Sequence, residues 1–87
     1  MTILQAHLQQ LFDEEEAILT LTTPNGTKIY DIDLEAWGIE DYRELGDLNP
    51  ITLRRLVEEI IYDITQTDCS FNTVEIVDYK RPEFIFS

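Results

Sequence analysis

Hydrophobic positions near the start of the chain recur at helical spacing. Leu4, Leu8, Leu11 and Phe12 form one stripe, with Ile3 and Ala6 beside it. Thr2 followed by Gln5 fits a capping box, so the pattern predicts an opening helix that fades in the acidic run at 13–16. From 17 to 33 the period changes to two. Two β-rich runs flank Pro24-Asn25-Gly26-Thr27, and Asn-Gly is the preferred pair for a type I′ hairpin turn. A turn on that pair sets Leu21 opposite Tyr30, Leu19 opposite Ile32 and Ala17 opposite Leu34, all on one buried face. The other face then carries Ile18, Thr20, Thr22, Ile29, Asp31 and Asp33, polar and acidic at one end.

The segment 34–48 is less regular. Ile39, Tyr42 and Leu45 give one side of a short helix between Gly38 and Gly46, with Trp37 just before it. Asn49-Pro50 is a strong helix start, a capping side chain followed by proline at the first helical position. Leu53, Leu56, Val57, Ile60, Ile61 and Ile64 then make the wide apolar face of the main helix, which should end near Thr65. Arg54 and Glu58, like Arg55 and Glu59, stand at i,i+4 in the weaker order relative to the helix dipole. Val74 and Ile76 alternate with Glu75 and Val77, and residues 84–86 form a short apolar run after Pro82. Residues 79–82 join these runs as a second hairpin. The order α-β-β-(α)-α-β-β predicts one α+β domain over 1–87. Its antiparallel sheet has about four strands in two hairpins, with two main helices on one face.

Charge changes this picture. The chain has 87 residues and a formal net charge of −12. Eleven of its 18 carboxylates lie between Asp13 and Asp47, where Lys28 and Arg43 are the basic residues. A field of that sign repels nucleic acid and anionic lipid and attracts basic protein surfaces. The Lys80-Arg81 pair is too small to make a nucleic-acid footprint in such a chain. Solubility asks for a net charge of only about 2–8 in magnitude. A chain with one cysteine forms no internal disulfide, and there is no leader-like or membrane-length apolar run. These features predict a cytoplasmic, soluble protein, in which Asn25-Gly26-Thr27 is a turn and not a glycosylation site.

Candidate chemistry is sparse. His7 and Cys69 are the single histidine and cysteine, too few for a zinc site without carboxylates or for a convergent triad. Asp68 beside Cys69 should raise the thiol pKa, which disfavours a reactive nucleophile. Asp31, Asp33 and Glu35 alternate, which on a continuing strand spaces them by about 6.7 Å on one face. Collinear carboxylates on a strand do not wrap a metal ion, and an exposed face offers nothing to separate their pKa values for acid–base work. The expectation is therefore no enzyme activity, no cofactor and no metal. A carboxylate ladder instead suits grooves lined by Lys and Arg that normally hold nucleic acid. A solvated sheet face, or general acidity in a salt-adapted organism, is the plainer account of the same residues.

The hairpin brings Asp13, Glu14, Glu15 and Glu16 to the same end of the sheet as Asp31, Asp33 and Glu35. Glu40, Asp41 and Glu44 would extend that surface, and Trp37 or Tyr42 would anchor it, although Trp37 also suits the core. In being small, acidic and free of motifs, the chain resembles the anti-restriction and anti-CRISPR inhibitors that imitate nucleic acid. That resemblance implies a non-enzymatic inhibitor or regulator whose partner is a basic, nucleic-acid-binding protein. The alternative is an accessory or homo-oligomeric subunit that associates through apolar edge-strand surface, with 84–86 as the candidate edge.

Overall fold

A computed structural model of the chain describes residues 2–11, 16–38, 49–78 and 83–87. Five strands form one antiparallel sheet: β1 (Gln5–Gln10), β2 (Glu16–Thr23), β3 (Gly26–Asp33), β4 (Val74–Asp78) and β5 (Glu83–Phe86), in the order β3-β2-β1-β5-β4. One α-helix, α1 (Pro50–Thr65), crosses between the two halves of the chain, and a 3₁₀ turn (Glu35–Trp37) follows β3. The expected α+β character holds. The strand count is five instead of four, and a single α-helix stands among the described residues. The short helix expected within 39–48 and the connection at 79–82 fall outside them.

The extra strand is the expected opening helix. Residues 5–10 alternate in burial as a strand does, with Ala6, Leu8 and Gln10 inward and Gln5, His7 and Gln9 outward. The helical stripe required Leu4 to be buried, and it is 55% exposed. Leu, Ala and Gln favour helices by only a few tenths of a kcal/mol each, a preference that tertiary pairing readily overrides. Here β1 is hydrogen-bonded along both edges, to β2 and to β5. Gln10, buried in the apolar layer, masks the period of two on which a strand assignment depends.

The β2–β3 hairpin forms where expected, with its register moved by two residues. Leu21 faces Lys28, Leu19 faces Tyr30 and Ala17 faces Ile32, and the loop is Pro24-Asn25. The cause is Pro24. A turn on Asn25-Gly26 would leave proline, which lacks an N–H, as the residue closing the ladder. Shifted, Pro24 takes the first central turn position, for which its fixed φ is suited. Gly26 accepts the positive φ of 130° that follows, and Thr23 Oγ1 donates to the Gly26 carbonyl at 2.9 Å. Because side chains alternate with period two, a slip of two residues leaves every face assignment intact.

The inner sheet face and α1 share one core. Ala6, Leu8, Leu19, Leu21, Ile32, Phe84 and Phe86 join Leu53, Val57, Ile60 and Ile61 in one cluster, together with Leu34 and Phe71. α1 begins as expected: the Asn49 side chain accepts from the Thr52 N–H at 2.9 Å, and Pro50 is the first helical residue. It ends at Gln66 in a left-handed conformation, φ 57°. Glu58 fastens the following segment, accepting from the Phe71 N–H at 2.9 Å. The β4–β5 hairpin also forms as expected, with an irregularity between Ile76 and Asp78. Residues 84–86 do not lie at an edge, however. β5 sits between β1 and β4, with Phe84 and Phe86 buried, and among the described residues the edge strands are β3 and β4. No helix of the described residues is long and apolar enough to cross a membrane.

Candidate partner-binding surfaces

The outer sheet face carries the first candidate surface. Among the described residues, no element packs over it: the core cluster draws its residues from the inner sheet face, α1 and the segments beside them. The registers place Glu16 directly opposite Asp33, with Asp31 two residues along β3 and opposite Ile18. Glu83 stands beside Gln9, and Glu75 lies across from Ile85, on the same face. The described basic residues Lys28, Arg54 and Arg55 belong elsewhere: Lys28 alternates onto the other side of β3, and the arginines are on α1. His7, half-buried in the middle of this face, holds Nε2 3.4 Å from Glu83 Oε2 without hydrogen-bond geometry. The face is therefore acidic at several points, with its strongest concentration where Glu16, Asp31 and Asp33 meet. Ile29, 68% exposed, adds an apolar contact beyond Thr20.

Glu35 does not continue the ladder. The strand stops at Asp33, whose Oδ1 accepts from the Glu35 N–H at 3.1 Å, and the chain turns through Leu34 into the 3₁₀ turn. Burial of Leu34 in the core draws the backbone inward at that point. Gly38, at φ 81°, ends the turn in the left-handed region that suits glycine. Of the expected surface, Glu16, Asp31 and Asp33 come together, and Glu35 lies just past them, exposed. Asp13, Glu14, Glu15, Glu40, Asp41, Tyr42 and Glu44 lie outside the described residues.

Trp37 belongs to a second surface, on the helix side of the sheet. It is half-buried, packed against the core on one side and lining an open groove of about 500 Å³ on the other. Tyr62, 48% exposed, provides a second aromatic wall from α1. Arg55, Glu58, Glu59 and Asp63 line the groove from the same helix, and Asp68 and Cys69 from the segment after it. Positions 55, 58, 59 and 62 recur at spacings of three and four, so they share the face of α1 turned away from Leu53, Val57, Ile60 and Ile61. That periodicity was present in the sequence. Without the position of Trp37, it described only a polar helix face.

Glu58 is occupied at this site by the Phe71 N–H, and Arg54 Nε stands 3.9 Å from the same oxygen, realising one of the expected i,i+4 pairs. The Cys69 thiol pKa is pushed up to about 11, first by burial and then by the charges of Glu58 and Asp68. The sign agrees with the effect expected from Asp68, but the larger cause is loss of hydration. Among the described residues, no group of three or more His, Cys, Asp or Glu is arranged to hold a metal ion.

Compared with known proteins, the chain matches no family model, no curated protein and no solved structure.

Proposed function

We propose that this chain is a non-enzymatic, acidic protein-binding domain, an inhibitor or regulator that occupies the basic groove of a nucleic-acid-binding protein. The observation that carries this reading is the placement of Glu16 directly across from Asp33, beside Asp31, on a sheet face over which no described element packs and which holds no described Lys or Arg. Like charges directly opposite on neighbouring strands destabilise a sheet. A net charge of −12 also exceeds what solubility asks of a small domain. The concentration of carboxylates therefore favours a use in binding. Neighbouring strands stand about 4.8 Å apart and alternate residues about 6.7 Å, so the cluster offers negative charges spaced on the scale of a phosphate backbone.

The test is displacement of a labelled DNA duplex from purified basic nucleic-acid-binding proteins of the native host, followed by fluorescence polarisation. Displacement should weaken as salt rises. Neutralising Glu16, Asp31 and Asp33 together (to Gln, Asn and Asn) removes three exposed charges worth about 0.5–1 kcal/mol each at an interface. Affinity should fall by about tenfold to a hundredfold. Displacement of no partner, or equal displacement by the triple variant, would sink the reading.

A second reading, association through a sheet edge, is favoured by β4, where Ile76 and Val77 are 42% and 50% exposed. Sedimentation at high salt separates the two: an edge-paired oligomer persists there, whereas charge-driven complexes dissociate.

A further inference from the structure

We propose that the groove beside Trp37 receives an arginine side chain of the partner. The inference rests on the reading of a basic partner and gives it a second point of contact. The groove has two aromatic walls, Trp37 from the 3₁₀ turn and Tyr62 from α1, and Glu59, Asp63 and Asp68 supply negative charge around them against Arg55. A planar, weakly hydrated guanidinium stacks on aromatic faces and binds a carboxylate through two parallel N–H donors, a geometry that an ammonium lacks.

The helix adds its own preference. Tyr62 and Asp63 belong to the last turn of α1, where the macrodipole favours cations, and that turn carries no basic residue. A cation from outside would answer both the dipole and the carboxylates. The volume, about 500 Å³, lies within the range of ligand clefts, and the groove is open enough for a side chain to enter from a docked surface.

Trp37 is the single tryptophan of the chain, so its emission reports on this groove. The probes are two capped peptides of equal length and charge, one alternating glycine with arginine and the other glycine with lysine. The arginine peptide should change Trp37 emission saturably and bind at least fivefold more tightly than the lysine peptide. The double variant Glu59→Gln, Asp63→Asn should lose at least tenfold in affinity, and Tyr62→Ala should lose the preference for arginine over lysine. All three positions are exposed, and circular dichroism of each variant checks the fold. The sheet-face variant Asp31→Asn, Asp33→Asn should keep the response within twofold.

An unchanged Trp37 signal, equal affinity for the two peptides, or loss of the response in the sheet-face variant alone would each overturn the proposal. DNA displacement that survives such a failure would leave the sheet-face reading standing. A groove that binds arginine without any displacement would remove that reading and keep the groove.

Discussion

Neutralising Asp33 should make the protein more stable, which is unusual for a charged residue at a well-defined turn. Asp33→Asn keeps the side-chain oxygen that accepts from the Glu35 N–H at 3.1 Å, so the turn after β3 retains its cap. What it removes is the repulsion from Glu16, its cross-strand partner. Side chains so paired leave Cβ about 5 Å apart, and the two carboxylates about 6 Å apart. At that distance two unit charges repel by about 0.7 kcal/mol in a water-like dielectric. A Debye length of about 8 Å at physiological salt cuts this to about 0.3 kcal/mol. Urea unfolding at low salt, with a slope near 1 kcal/mol per molar for so small a domain, should show the midpoint rising by about 0.5 M. Glu16→Gln should give a similar gain, and the double variant less than the sum, since either substitution alone abolishes the pair. Salt at 1 M should erase the difference. A variant less stable than the parent, strict additivity, or a gain indifferent to salt would show that the two carboxylates do not interact as the register requires.

Three other outcomes follow from the fold. Leu8→Ala should cost about 2–5 kcal/mol, whereas Leu4→Ala should cost under about 0.5 kcal/mol, because only Leu8 is buried; equal losses in urea unfolding would return the first segment to a helix. Glu58→Ala strips the Phe71 N–H of its charged acceptor and should destabilise by about 1.5–3 kcal/mol, with hydrogen exchange at Phe71 accelerating more than at α1. Cys69, with its pKa near 11, should alkylate about a hundredfold more slowly at pH 8 in the folded protein than an ordinary thiol with a pKa of 9.0. The folded chain holds that proton more tightly than the unfolded one, so this group's contribution to stability should decline as pH rises from about 9 toward 11. Alkylation at the rate of the urea-unfolded chain would contradict the buried setting.

The parts of this fold legible in the sequence are those whose local signals and tertiary surroundings agree. Asn49-Pro50 with the apolar face of α1 is one, and the face alternation of β2 and β3 is another. The hairpin register was not legible, because Asn25-Gly26 is a strong turn signal and the restriction imposed by Pro24 outweighs it. β1 was obscured for a different reason. Its residues favour a helix on their own, and the pairing that overrides them comes from strands far along the chain. The candidate surfaces divide in the same way. Asp31 and Asp33 were placed correctly by alternation alone. The groove at Trp37 needed the 3₁₀ turn and α1 to be brought together in space, which no local pattern reports.

The central position of β1 also bears on how the chain reaches this fold. Ala6 pairs with Phe86, so nearly the whole chain must be looped before the middle of the sheet exists. Closing a loop of that length costs about 4 kcal/mol in chain entropy beyond a constant term. Burying Phe84 and Phe86, each worth about 1.5–3 kcal/mol, offsets a cost of that size. Until those two rings dock, one side of β1 presents unpaired N–H and C=O groups beside exposed Ala6 and Leu8 surface. The β1–β3 meander closes only short loops, so if it pairs before β5 docks, its open flank is where intermolecular pairing would begin. The carboxylates that burden the finished sheet would keep such half-built copies apart.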